Sequence, residues 1–127
     1  MTYRLHLARH PSNLTAPQAL IIQDFLKMAG KGQRTCLRAV VEMCADLHQN
    51  GRDCRYLKSF GGPVYELKKR ASDGGARVYV LAIGAEFVLV HAECKNENQA
   101  DQNLLLDVSD VYDAIMGHQP VLEPRRS

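Results

Sequence analysis

Residues 57–95 read Leu57-Lys-Ser-Phe-Gly-Gly-Pro-Val-Tyr-Glu-Leu-Lys-Lys-Arg70, Ala71-Ser-Asp-Gly-Gly-Ala76, then Arg77-Val-Tyr-Val-Leu-Ala-Ile-Gly-Ala-Glu-Phe-Val-Leu-Val-His-Ala-Glu-Cys-Lys95. A basic segment, a Gly-rich turn and a tight apolar hairpin follow in that order. Strands are predicted over 63–68, 77–83 and 86–94, because β-branched and aromatic residues crowd these runs between turn signals. Gly84-Ala85 is a two-residue turn with glycine first, a kind that closes hairpins. Alternation along the last run puts Val88, Val90, Ala92 and Cys94 on one face, with Phe87, Leu89, His91, Glu93 and Lys95 on the other. Cationic side chains open two neighbouring strands and close a third. A sheet gathers such positions, so the surface they form is suited to a polyanion.

On the N-terminal side, residues 3–8 alternate briefly and predict a short first strand, broken by Pro11-Ser-Asn13. Thr15-Ala-Pro-Gln18 carries the capping-box pattern, with proline where a missing N–H does no harm. Leu20, Ile21, Ile22, Phe25, Leu26 and Met28 then form a helical stripe that Gly30-Lys-Gly32 ends. A second helix is predicted over 34–50 from Cys36, Leu37, Val40, Val41, Met43, Cys44 and Leu47, with Gly51 as its terminator. The two stripes can pack as an antiparallel helical hairpin on one face of the sheet. On the C-terminal side, residues 95–103 are polar and loop-like. Leu104, Leu105, Val108, Val111, Tyr112, Ile115 and Met116 mark a last amphipathic helix ending near Gly117. The expected fold is α+β, in the order β-α-α-β-β-β-α, with a mostly antiparallel sheet. It forms a single domain over 1–117, with 118–127 as a loose tail.

The chain has 127 residues, enough for one core. Its 46% hydrophobic and 24% charged content is that of an ordinary globular domain. It holds no apolar stretch long enough to span a membrane. The first residues lack a signal-peptide layout, so the expected location is cytoplasmic. Cys36, Cys44, Cys54 and Cys94 make no C-x-x-C pair and read as buried thiols in a reducing compartment. His6, His10, His48 and His118 form no spaced set with carboxylates or thiols and receive no function; no metal site or cofactor is expected. Net charge is only +2, but it is unevenly spread. From residue 52 to 77, Arg52, Arg55, Lys58, Lys68, Lys69, Arg70 and Arg77 outnumber Asp53, Glu66 and Asp73. From 86 to 113, Lys95 alone faces Glu86, Glu93, Glu97, Asp101, Asp107, Asp110 and Asp113. A cationic face and an anionic face follow from that split.

The segment Lys58-Ser-Phe60-Gly61, Tyr65-Glu66-Leu67-Lys68, Gly74-Gly75, Arg77-Val-Tyr79-Val80, Phe87-Val-Leu-Val-His91 and Lys95 resembles the HigB-like branch of the RelE/ParE toxin superfamily. These are small bacterial ribonucleases that cut messenger RNA. The resemblance covers residues 50–116; before that only the order of elements matches. It implies a RelE-like fold and the toxin half of a type II toxin–antitoxin pair. Such a toxin is an endoribonuclease acting on mRNA in a ribosome-dependent way and held inactive by a cognate antitoxin protein. It touches no membrane, and no DNA except through the antitoxin. The implied reaction is metal-independent attack of the RNA 2′-hydroxyl on the adjacent phosphorus, which needs a base, cations on the phosphorane oxygens and a proton donor for the leaving oxygen.

Carried onto this sequence, Arg77 occupies the family's arginine position and could grip a phosphate with two parallel hydrogen bonds. Read as a strand-end residue, it would contribute little to folding. Lys68 stands where the branch usually has arginine, and Lys95 matches a lysine of the post-hairpin loop. His91 and Glu93, expected on the face with Lys95, are the candidate acid and base. Lys58, Lys69 and Arg70 are candidate RNA-backbone contacts, and Tyr65 and Tyr79 candidate base-stacking residues. The position after Lys95 is commonly basic in the family, whereas here it is Asn96. That departure motivates a second reading: a non-nuclease binding module on the same scaffold, such as a gyrase inhibitor or a decayed toxin.

Overall fold

From Arg77 to Ala82 six consecutive side chains are buried, with Val78, Val80 and Ala82 in one apolar cluster and Tyr79 and Leu81 in another. A strand buried on both faces must lie inside a sheet covered by two layers. That is where the computed structural model, which describes residues 1–96 and 100–123, places it. The elements are β1 (Leu5–Leu7), α1 (Leu20–Gly30), α2 (Arg34–Asn50), β2 (Leu57–Gly61), β3 (Val64–Ala71), β4 (Gly74–Ile83), β5 (Glu86–Lys95) and α3 (Gln102–Met116), with one 3-10 turn at Gly51–Asp53. The sheet runs β1-β5-β4-β3-β2, with β1 parallel to β5 and every other pairing antiparallel. The α+β class and the mostly antiparallel sheet agree with the sequence. The order differs by one strand: Leu57–Gly61, outside the strands predicted from sequence, pairs with β3 and forms an edge.

Helices α1 and α2 cover one face. Ile21 and Met28 of α1 and Cys36, Val40, Met43 and Leu47 of α2 meet Leu67, Val78, Val80, Phe87 and Leu89 of the sheet. Each such side chain contributes about 1.5–3 kcal/mol through burial. Helix α3 covers part of the opposite face, where Val108, Val111 and Ala114 pack on Tyr79, Leu81, Val88 and Val90. The Gly84 turn forms as expected, with φ +62° at Gly84 and Ile83 paired to Glu86. Gly51 ends α2 at φ +58°, and a Cβ there would lie 2.7 Å from the Tyr3 ring, so nothing larger fits.

Four local readings are corrected. The capping box does not form: α1 begins at Leu20 behind Ala19, with no side-chain cap among the described residues. The N-terminus of α2 is instead capped from afar. The Asp73 carboxylate, in the β3–β4 turn, accepts hydrogen bonds from the Thr35 amide (2.7 Å), the Thr35 hydroxyl (2.6 Å) and the Cys36 amide (3.4 Å). These bonds hold its pKa below the usual carboxylate range. The tail is not loose through residue 123: Val121 is buried, Leu122 bridges Ala8, and the Glu123 amide donates to the Leu7 carbonyl. Residues 124–127 of that tail, like 97–99 of the expected polar loop, lie outside the described residues.

Two of the four cysteines are not thiols. Cys36 and Cys94 form a disulfide with Cα atoms 5.9 Å apart, tying the start of α2 to the end of β5. Cys44 and Cys54 are free, as expected, and burial is the main reason their thiols rise to about 12 and about 11.

The alternation of β5 is broken as well. Tyr79 pairs with His91 but Val80 pairs with Leu89, so Val90 is an extra residue. Phe87 and Leu89 therefore share the α1–α2 face with Ala92 and Cys94, while Val88 and Val90 face α3.

The disulfide closes a loop of 58 residues in sequence separation. Chain-entropy arithmetic for that length gives about 4 kcal/mol of stabilisation. Adding a dithiol reductant, or the double substitution Cys36→Ser/Cys94→Ser, is expected to lower the melting temperature by about 10 °C or more. An unchanged melting curve would show that the crosslink contributes nothing.

Candidate functional site

Residues directly opposed on adjacent strands share a face of the sheet. Beyond the apolar area under α3, the same face carries the rows Lys58–Glu66–Tyr79, Lys68–Arg77–Glu93 and Arg70–Gly75–Lys95. The cations Lys58, Lys68, Arg70, Arg77 and Lys95 thus meet the carboxylates Glu66 and Glu93. Lys58, Lys68 and Arg70 are exposed, whereas Arg77 and Glu66 are each only 2% exposed. Arg77 is not the surface arginine expected from sequence. Its Nη1 lies 3.5 Å from Glu66 Oε2, deep beneath the lysines.

Burial pushes the Glu66 carboxyl above its ordinary range, while Arg77, Lys68 and Lys58 pull it back only in part and Glu93 adds to the rise. The Tyr79 hydroxyl donates to Glu93 Oε2 (3.0 Å) and accepts from the Asp101 amide (3.3 Å). Burial first, then the Glu93 charge, drives its phenol well up, so it stays protonated as a donor. Lys95 Nζ is 3.2 Å from Glu93 Oε1. Glu66 Oε2 and Glu93 Oε1 are buried and accept no hydrogen bond among the described residues, although cations stand near both. In the sequence Glu66 stands out only as part of the Tyr65-Glu66-Leu67-Lys68 motif and as one of three acids in the basic segment. Its proximity to Arg77 was legible in principle, since a Glu at position 66 and an Arg at 77 share a face in any hairpin of this register.

Other expected site residues are elsewhere. The pleat sends Tyr65 and Lys69 to the α2 side. There Arg52 donates to the Tyr65 hydroxyl (2.8 Å), and Lys69 pairs with Glu42 (2.6 Å) above the Tyr56 ring. The seven basic residues of 52–77 therefore do not form one face. His91 keeps the face of Glu93 and Lys95, directly opposite Tyr79, but its ring is held by carboxylates of the two helical layers rather than open to the floor. It is 5% exposed and bonded through both ring nitrogens, Nδ1 to Asp24 (2.6 Å) and Nε2 to Asp107 (2.8 Å). With both nitrogens engaged, it is poorly placed to move a substrate proton. It clamps α1 and α3 onto β5, and Asp24 also accepts the Ala92 amide (2.9 Å), beyond the paired residues of β1.

His10, given no role from sequence, joins this cluster through the fold. Its Nε2 is 3.0 Å from Asp110 and 3.5 Å from Asp107, and ligand-type atoms of the three lie within 4.8 Å of one another. A cation could be shared at that spacing. The Ser12 amide, however, donates to His10 Nδ1 (3.1 Å), which in the neutral ring puts the hydrogen on Nε2, facing Asp110. That polarity makes a hydrogen-bonded relay rather than a ready ligand set.

No family model, no curated protein and no solved structure matches this chain.

The His91 clamp links stability to pH. Burial alone lowers the imidazole pKa, but the hydrogen bonds and charges of Asp24 and Asp107 together hold it above its ordinary value. A raised folded-state pKa gives stabilisation that is complete below the unfolded value of about 6.5 and is lost as pH rises through the folded value. The stability difference between the wild type and His91→Gln, from melting curves at pH 5 to 9, is therefore expected to shrink with rising pH. A difference that grows would overturn the assignment.

The Arg77–Glu66 pair makes a second, opposite kind of demand. Arg77→Ala leaves Glu66 buried beside an empty space and is expected to destabilise the fold by about 3–5 kcal/mol. Arg77→Met/Glu66→Leu should lose less than Arg77→Ala alone, as read in denaturant titrations.

Proposed function

We propose that this chain is an endoribonuclease of the toxin–antitoxin kind that cuts messenger RNA by attack of the RNA's own 2′-hydroxyl. The observation that carries the reading is the polar floor on the α3 side of the sheet, where a buried carboxyl with a raised pKa lies beneath a rim of lysines. The element order supports it too, differing from the order that the resemblance implies by one added edge strand. Lys58, Lys68 and Lys95 would take the phosphate oxygens, where charge grows as the phosphorane forms. Glu66 would accept the 2′-hydroxyl proton, its raised pKa suiting a base that works near neutrality. Arg77 is then a positioning residue that holds the Glu66 carboxylate, with Glu93 and Tyr79 steadying Lys95 and offering a donor. Ribosome dependence fits a site this sparse, because a ribosome can orient the RNA that the protein alone grips weakly. An antitoxin protein, the ribosome and mRNA are the partners in this reading. The site chemistry calls on no cofactor.

A cytoplasmic setting belongs to the same proposal. No helix of the described residues is long and apolar enough to cross a membrane. With Cys36 and Cys94 bonded, the cysteines no longer speak for a reducing compartment. The burial of Arg77 and Glu66 favours one second reading, a non-nuclease binding module such as a gyrase inhibitor or a decayed toxin, since neither the covered guanidinium nor the covered carboxyl reaches RNA unless the lysine rim parts.

Induced expression should arrest growth and create new mRNA 5′ ends within codons, seen by primer extension. Lys58→Ala/Lys68→Ala, both exposed sites, should reduce cleavage by about 10²-fold with little change in melting. Glu66→Gln, checked for folding, should abolish it. In a reconstituted assay the wild-type rate should rise with pH through the raised Glu66 pKa and then level off. Intact transcripts with altered DNA supercoiling would favour the gyrase reading instead.

A further inference from the structure

Between the β2–β3 turn and α3 lies a groove of about 720 Å³, a size common among small-molecule sites. Phe60, Val64, Leu105 and Tyr112 make it apolar, and Gln102 and Ser109 place two polar side chains on its α3 wall. We propose that this groove seats one unstacked nucleobase of an RNA strand whose backbone crosses the neighbouring lysines. The inference rests on the ribonuclease reading and adds a ligand subsite to it.

Phe60 is the extra residue of a bulge in β2, since Ser59 pairs with Tyr65 and Gly61 with Val64. The bulge lays its ring on Tyr79, with centroids 6.4 Å apart and planes 22° from parallel. Tyr79 is fully buried, so Phe60 is braced from below while 41% of it stays exposed. A braced aromatic plane loses little freedom when a second ring stacks on it. Gln102 and Ser109 each present both donor and acceptor capacity, which suits the edge of a base.

The charge beside the groove identifies the ligand class. Lys58 precedes Phe60 by two residues and projects from the same face, about 7 Å away along the strand. Lys68 follows one strand over, in the next row. A flat ring joined to a phosphate fits that spacing and sign, whereas an aliphatic side chain would leave both lysines unanswered.

The probe is a fluorescein-labelled hexamer of 2′-O-methyladenosine, which lacks the attacking hydroxyl. It is compared by anisotropy with a base-free 2′-O-methylribose-phosphate hexamer of equal charge. The wild type is expected to bind the adenine hexamer about tenfold more tightly. Phe60→Ala should remove that preference and leave base-free affinity unchanged. So should Ser109→Phe, which fills the groove from an exposed position on α3. Lys58→Ala should weaken both hexamers alike. Equal binding of the two hexamers by the wild type, or a preference that survives both groove substitutions, overturns the subsite. If transcripts are nonetheless cut in cells, the ribonuclease reading stands without it. A base preference without transcript cleavage keeps the subsite and sinks the ribonuclease.

Discussion

One inserted residue, Val90, sets the arrangement of everything around β5. Before it, Phe87 and Leu89 point to the α1–α2 layer; after it, Ala92 and Cys94 do. If the strand alternated through Val90 without a bulge, the pleat would turn Cys94 toward α3, on the side of the sheet opposite Cys36, and the disulfide could not close. Glu93 and Lys95 would likewise leave the face of Arg77 and Tyr79. The bulge also carries His91 to a place where carboxylates from both helical layers can reach it. A β-strand has period two, so a single extra residue reverses every side chain beyond it.

The polar floor is sustained by that same reversal. Glu66 and Arg77 are placed by the β3–β4 register alone, but Glu93 joins them only from the far side of the bulge. A buried carboxyl and a buried guanidinium, with the half-buried Glu93 beside them, are a poor way to stabilise a core, because desolvation offsets much of their attraction. An apolar trio of the same volume would serve folding at least as well. The Asp73 cap and the disulfide brace this end of the sheet by fastening the β3–β4 turn and the end of β5 to the first turn of α2. Gly74 and Gly75 let the strand ends approach closely: a Cβ on Gly74 would lie 3.1 Å from Asn96 Oδ1, and one on Gly75 would lie 3.0 Å from the Lys95 carbonyl oxygen.

What the sequence revealed divides by range. Helix α2, the Gly84 hairpin and the last helix were legible because their signals are local: periodicity, a turn glycine, a terminator. Strand β2 was hidden because Lys-Ser-Phe-Gly-Gly-Pro lacks alternation and reads as a break; its pairing with β3 supplies the order. The α1 cap failed because the Thr15 pattern lies one turn too early. The true α2 cap comes from Asp73, 38 residues beyond Thr35. The disulfide, the docking of Val121 beside Ala8 and the meeting of His10 with Asp107 and Asp110 are likewise long-range events that no local window contains. For the site, residue types were visible but faces were not. Lys68 and Lys69 look alike in the sequence, yet the pleat sends one to the polar floor and the other to Glu42.

The same face of the sheet changes character along its strands, and that gradient explains where a ligand can approach. The row Val64–Leu81–Val88 is apolar and lies under α3. One step on, Tyr79 is apolar in its ring and polar at its hydroxyl, and it receives the Asp101 amide just before α3 begins. Beyond it the rows turn ionic, where the helix no longer covers them. Asp101 then caps α3 by accepting the Asn103 and Leu104 amides, fixing the boundary between covered and open sheet. Five cations against two carboxylates on the open part give it a positive field. The protein beneath is apolar, and a low-dielectric backing strengthens that field toward solvent. The acidic residues of α3 stand on the covered side, so a polyanion meets attraction over the floor and repulsion along the helix. A polyanion would thus be steered across β2 and β3 rather than over α3, along the line that joins Lys58, Lys68 and Arg70.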